Sequence, residues 1–236
     1  MLGLGSGLSS SVFAIQVENQ QYSIFLDGTG DSFSTNVDAQ TIFSNDFTIS
    51  AYFRPHDGQP SSAQTLFGVN ENNVGADIMR LTLNTDGTLT LLHRSNVDEA
   101  TTTTDAAVFN DGDSGDFTHI AVSANNQGGG TDSLYKMYVN GALVNSTTLD
   151  AMSGTNFSAW NTGGAYIYFG AVNLDGSQPT SLWIGYIDEI GIFTAAKPDA
   201  QITSIYNNNS VINLLESSGS YSPTKLKHYY RLNNDL

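Results

Sequence analysis

Apolar and polar residues along this chain alternate with a period of two far more often than they recur every three or four positions. That pattern builds half-buried strands, not amphipathic helices. Phe47-Thr48-Ile49-Ser50-Ala51-Tyr52-Phe53 is the clearest instance, with Phe47, Ile49, Ala51 and Phe53 on one face. The same alternation predicts strands over residues 12–17, 22–26, 65–69, 78–83, 88–92, 117–123, 134–139, 143–147, 166–170 and 182–193. Asn140-Gly141 stands between two of these runs, and both residue types tolerate positive φ, which suits a type I′ hairpin. Asn84-Thr85-Asp86-Gly87 suits a slightly longer turn. One short helix is expected over residues 198–206, where Pro198 opens the first turn and Ile202 and Ile205 face inward. Residues 95–115, 125–132 and 150–164 read as loops by composition. The pattern therefore predicts an all-β fold of strands joined by polar turns. A flexible or partner-bound arm precedes it at 1–11, the domain occupies 12–209, and a tail at 210–236 packs on the domain or on a neighbour.

Composition narrows the function. The chain has 236 residues, 39% of them hydrophobic, with 12 Phe, 11 Tyr and 2 Trp, enough to fill a sandwich core. Eight basic residues face 23 acidic ones for a net charge of −15, which repels a phosphate backbone and argues against nucleic acid as partner. With no cysteine there is neither a disulfide framework nor a thiolate site. No apolar run reaches membrane-spanning length, and the first residues lack the pattern of a secretory signal. The weakly charged, Ser-, Thr-, Asn- and Gly-rich surface matches extracellular or virion proteins.

No catalytic set assembles. Gly112-Asp113-Ser114-Gly115 resembles a serine-protease tetrapeptide, but Asp116 follows where the oxyanion hole needs glycine. His56, His93, His119 and His228 have no ligand partner at metal spacing, and His119 reads as a hydrogen-bonded structural residue. Asp188-Glu189 is the one suggestive acidic pair on a strand, yet neighbouring strand residues point to opposite faces. Calcium has better candidates. Asp27 to Asp31 and the Asp111, Asp113, Asp116 loop offer oxygen ligands, although turn-forming aspartates explain either loop without a metal.

Six segments taken in order, from Ile24-Phe25-Leu26-Asp27 through Asp46–Phe53, Phe117–Val122, Tyr135–Gly141 and Gly185–Phe193 to Ile202–Asn208, resemble a laminin-G-like domain of the concanavalin A-like jelly-roll superfamily. Phe117 stands where that family usually has Trp. The resemblance implies an all-β, two-sheet antiparallel jelly-roll sandwich with one concave face free for glycans or proteins and a calcium ion held by Asp27 and Asp188, and it does not imply catalysis. It also makes Trp160, Trp183 and Tyr166 candidates to stack on sugar rings. Met1 to Leu8 and the stretch Lys227 to Arg231 are similar to the flanks of such domains in structural proteins of tailed marine phages. Two readings follow. One is a virion structural protein, a decoration, fibre or tail-associated subunit at the virion surface that contacts other virion proteins or copies of itself as a homo-oligomer. The other is a calcium-dependent carbohydrate-binding module or adhesin for a cell-surface glycan.

Overall fold

In chain order the elements are β1 (Ile24–Asp27), β2 (Phe33–Asp38), α1 (Ala39–Phe43), β3 (Phe47–Pro55), β4 (Gln64–Asn70), β5 (Ile78–Leu83), β6 (Leu89–Arg94), β7 (Glu99–Thr103), β8 (Thr118–Asn125), β9 (Ser133–Val139), β10 (Ala142–Leu149), β11 (Tyr166–Phe169), β12 (Val172–Asn173), β13 (Pro179–Thr180), β14 (Ile184–Phe193), α2 (Asp199–Tyr206) and β15 (Leu226–Tyr230). The computed structural model describes residues 23–43, 45–70, 78–94, 99–112, 115–125, 132–149, 166–173 and 179–231. The predicted strand at 12–17 lies outside the described residues.

Two antiparallel sheets pack face to face. One has the order β1-β14-β3-β8-β9-β10, and the other β2-β11-β4-β5-β6-β7. This is the predicted jelly-roll sandwich. Phe47, Ile49, Ala51 and Phe53 point inward together and meet Leu66, Phe67, Met79, Leu81, Leu89, Leu91, Ile167 and Phe169 from the facing sheet. Each fully buried side chain of this size contributes about 1.5–3 kcal/mol through burial, so the inner faces dominate stability. The Asn140-Gly141 turn has φ of 48° and 73°, the two positive values a type I′ turn requires. A Cβ on Gly141 would also sit 3.0 Å from the Tyr206 side chain, so glycine lets α2 approach.

The outer face of the first sheet is covered. Ile202 and Ile205 of α2 pack on Ala121, Tyr138 and Phe193, and Leu214 and Tyr221 from the following segment extend the cluster. Tyr138 donates to Asp199 at 2.8 Å and Lys136 pairs with the same oxygen at 2.7 Å, fixing the first turn of α2. β15 pairs with the second half of β14, along the edge whose first half β1 occupies.

Among the described residues six elements depart from the sequence reading, β2, α1, β7, β12, β13 and β15, and three of them show why. Residues 99–103, read as loop from their threonine content, form β7: Ala100 and Thr102 turn inward, and Thr102 binds Asn145 and Thr147 of β10 at 3.0 and 2.9 Å. α1 and β15 had no clear periodic signal. In β15 both faces meet partners, Tyr229 on the outer cluster and Tyr230 on the inner one, so no clean polar side marks it.

Candidate functional site

The second sheet is covered differently. Met79, Leu81 and Leu83 of β5 point into the core, which turns Arg80 and Thr82 outward. Across that outer face Tyr168, Gly68, Arg80, Leu92 and Thr101 stand in one row of paired strand positions. The ribbon β12–β13 crosses at Gly68, where a Cβ would lie 2.8 Å from Val172. Arg94 is two residues beyond Leu92 on the same face, opposite Glu99, with a loose contact of 3.9 Å between them. Arg80 is half-buried and has no hydrogen bond or ion pair among the described residues. Burial lowers its pKa, the neighbouring Arg94 charge lowers it further, and the Glu99 carboxylate offsets this in part. The buried Nε of Arg94 also lacks a hydrogen-bond partner among the described residues. Two guanidinium groups with unspent N–H donors thus share one face. Hydroxyls of Thr82, Thr90 and Thr103 extend it on one side, and Tyr168 and the partly exposed Tyr166 lie on the other. A planar carboxylate matches such donors through paired hydrogen bonds.

The predicted metal ligands do not converge. Asp27 is exposed and its Oδ1 accepts from the Thr29 N–H and hydroxyl, at 2.7 and 2.5 Å. It lies opposite Ile184, four residues from Asp188, or about 13 Å along the strand at roughly 3.3 Å per residue. Asp188 is fully buried. Asp111 and Asp116 are exposed at either end of their loop, and Asp113 lies outside the described residues. No group of three or more potential ligands forms among the described residues.

Of the three sugar-stacking candidates, Tyr166 is on the outer face of the second sheet with 36% exposure. Trp160 lies outside the described residues. Trp183 is a correction: it is 0% exposed and packs edge-on against Phe53 at 5.7 Å, so it offers no ring face to a ligand. Within the predicted strand 182–193 it is in phase with Ile187, four residues on, and both side chains join the inner core.

Asp188 and Glu189 are also placed unexpectedly. Glu189 has φ of 49° and the pairing with β3 shifts between Asp188 and Gly191, which makes a bulge. The extra residue breaks the alternation, so both carboxylates lie on the outer side of the core. Glu189 accepts from the Tyr229 hydroxyl and faces Arg231 at 3.7 Å, while Asp188 accepts from the Glu189 N–H at 2.8 Å. Burial first, and then the charge of Glu189, pushes the Tyr52 hydroxyl well above the usual phenol range. On the same side Ser50 and His119 meet at 2.8 Å, but they are 1% and 0% exposed. Burial holds the His119 pKa down at about 3, so the ring is neutral and structural, as its alternation indicated.

The family model described as the Concanavalin A-like lectin/glucanases superfamily matches residues 26–203. Among solved structures, the chain is similar to the carbohydrate-binding module CBM40 of the Ruminococcus gnavus IT-sialidase bound to α2,3-sialyllactose. The TM-score is 0.60 and the identity 17%, covering 78% of this chain and 96% of that one. The K499G mutant of NanB sialidase from Streptococcus pneumoniae gives 0.61 at 21% identity, covering 78% of this chain and 27% of that one. A heptameric SAP-like pentraxin from Limulus polyphemus gives 0.51 at 13%, covering 92% and 88%. At these identities the likeness is one of fold. No curated protein matches the chain by sequence.

Proposed function

The chain belongs to the Concanavalin A-like lectin/glucanases superfamily, and from that membership we propose that it is a non-catalytic glycan-binding module that takes an acidic saccharide on the outer face of its six-stranded sheet. The observation that carries this reading is the Arg80–Arg94 pair. In a chain of net charge −15, two like charges converge on one face, and Arg80 has no counter-ion at bonding distance among the described residues. A ligand carboxylate would relieve that repulsion and use the unspent donors. Tyr166 and Tyr168 would lie against the sugar ring, and the threonine hydroxyls would meet its hydroxyl groups. The fold likeness to a module seen bound to α2,3-sialyllactose supports the saccharide class.

Isothermal titration of the full chain with 3′-sialyllactose and with lactose tests the reading. Binding of the sialylated sugar alone is expected. Arg80→Gln should lower the affinity by about tenfold or more, the usual cost of losing charge-assisted hydrogen bonds, without moving the melting temperature. Equal binding of both sugars, or affinity untouched by Arg80→Gln, would overturn it. Repeating the titration with calcium and with chelator tests the loops at Asp27 and Asp111 together. The arginine pair needs no cation, so equal affinities are expected. Attachment of such a module to a virion, which the flanking segments suggested, draws no support from the fold or from these relatives.

A further inference from the structure

On the opposite side of the sandwich a third guanidinium is held in a different way. Arg54 is on the outer face of β3, paired across the sheet with Tyr186 of β14, which is paired in turn with Phe25 of β1. The Arg54 guanidinium carbon lies 4.0 Å over the Tyr186 ring and 5.3 Å from the Phe117 ring centre. Phe25 leans on Tyr186 at 4.8 Å and is itself 47% exposed. Stacking fixes the plane of the guanidinium and occupies its faces, leaving the N–H edge as its binding surface. That edge makes no hydrogen bond or ion pair among the described residues. It borders a cavity of about 450 Å³ whose other walls include Ser23, Tyr52, Asp116 and Asn209.

We propose that this cavity is a second binding site, for a small carboxylate-bearing, hydroxylated ligand such as a uronic acid. It is independent of the arginine pair on the other sheet. The volume is within the range of small-molecule pockets. The planar guanidinium edge suits a carboxylate, because both offer two parallel hydrogen-bonding positions. Ser23, Asn209 and the Asp116 carboxylate provide partners for hydroxyl groups, and Val211 adds an apolar wall for the C–H face of a sugar ring. Because the two sites are on opposite outer faces, one chain would hold two acidic sugars at once. Ligands carried on a flexible polymer long enough to reach both faces would then be bound with avidity beyond either site alone, whereas a flat surface would engage one face at a time.

The test uses the full chain carrying Arg80→Gln, which breaks the arginine pair on the six-stranded sheet, and residue-resolved shifts then report which face a ligand meets. The chain is labelled with nitrogen-15 and titrated with glucuronate, glucose and inorganic phosphate. Saturable amide shifts at Tyr52, Arg54, Phe117 and Tyr186 are expected with glucuronate and not with glucose. Adding Arg54→Gln should weaken them by about tenfold or more. Arg54→Lys keeps the charge and lacks the fork, so it should also weaken glucuronate binding, and it serves if the Gln variant does not fold. Shifts confined to the six-stranded sheet, shifts insensitive to both Arg54 variants, or phosphate binding as well as glucuronate would each overturn the proposal. A missing Arg80 effect in the earlier titration would leave this result untouched, so the two failures are distinguishable.

Discussion

The two outer faces of this sandwich solve the same problem differently. On the first sheet a helix and the following 25 or so residues, about a tenth of the chain by count of residues 207–231, form a third layer with its own apolar cluster around Phe193, Ile205 and Tyr221. Polar groups caught beneath that layer are neutral or paired. His119 is held neutral by burial, Glu189 meets Tyr229 and Arg231, and Lys197 is caged. The Lys197 ammonium donates to the Ser222 and Thr224 carbonyls at 2.9 and 2.5 Å and lies 4.8 Å over the Phe193 ring. On the second sheet the described cover is the short ribbon β12–β13, and Arg80 is half-buried without a counter-ion at bonding distance among the described residues. A buried charge that is answered internally holds a fold together. A charge left unanswered is a binding surface waiting for its anion.

The sharpest way to break this comparison is to remove the third layer. A chain ending at Ser210 loses β15, exposes Phe193, Ile202 and Ile205, and strips Glu189 of both its Tyr229 and Arg231 contacts. Leaving a buried carboxylate without partners costs about 3–5 kcal/mol by itself. Against a total stability of about 5–15 kcal/mol, the lost packing is enough to abolish the cooperative transition. Circular dichroism melts should show no sharp unfolding for the truncated chain. A transition at the full-length temperature would mean that the covered face is decoration and the contrast between the two faces is false.

Acid comes next in size, and it strikes inside both sheets. His119 is under the third layer, and His93 of β6 is between the sheets, hydrogen-bonded to the Tyr135 hydroxyl. Burial lowers both pKa values from the ordinary 6.5 to about 3. Between those limits the unfolded chain binds more protons than the folded one. The stabilisation is therefore complete above pH 6.5 and is lost as pH falls towards 3. Each histidine contributes a slope of about 1.4 kcal/mol per pH unit within that window. Denaturant unfolding from pH 7 to pH 4 should show stability falling steeply, and replacing either histidine by Gln should reduce the slope by about one proton. An unchanged slope would show that the rings are charged or exposed in the folded chain.

How far these faces could be read in the sequence follows from what each depends on. The inner face was legible because Phe47, Ile49, Ala51 and Phe53 obey a local period, and the hairpin because Asn140-Gly141 is a local backbone demand. Trp183 was misplaced because aromatic character alone does not say which side of a strand end is buried. The Asp188-Glu189 pair was misread because a bulge displaces the period by one residue, and the bulge is stabilised by Tyr229 and Arg231, some forty residues away. The Arg80–Arg94 pair was missed for a related reason. The residues are on different strands, and only the β5–β6 register brings them onto one face. The signal available was arithmetic: both are among only 8 basic residues in the chain, and Arg80 alternates with the inward Met79 and Leu81.

The finest test concerns Glu99, the acid nearest that pair. Its carboxylate is 3.9 Å from Arg94, with a side chain 54% exposed, and also accepts from Thr101 at 3.2 Å. An exposed pair of this geometry contributes about 0–1 kcal/mol to stability, so Glu99→Gln should leave the melting temperature nearly unchanged. It should nevertheless affect binding, because the carboxylate competes with an anionic ligand for Arg94 and adds a repulsive charge at the rim. Removing it should raise the affinity for 3′-sialyllactose by about two- to fivefold, mostly through faster association, and the gain should shrink at high salt. If Glu99→Gln weakens binding instead, the carboxylate is a sugar-hydroxyl acceptor, and recognition on this face is divided between acid and base. If affinity and salt dependence both stay fixed, the ligand does not meet the Arg94 end of the pair, and the open face binds through Arg80 and the tyrosines alone.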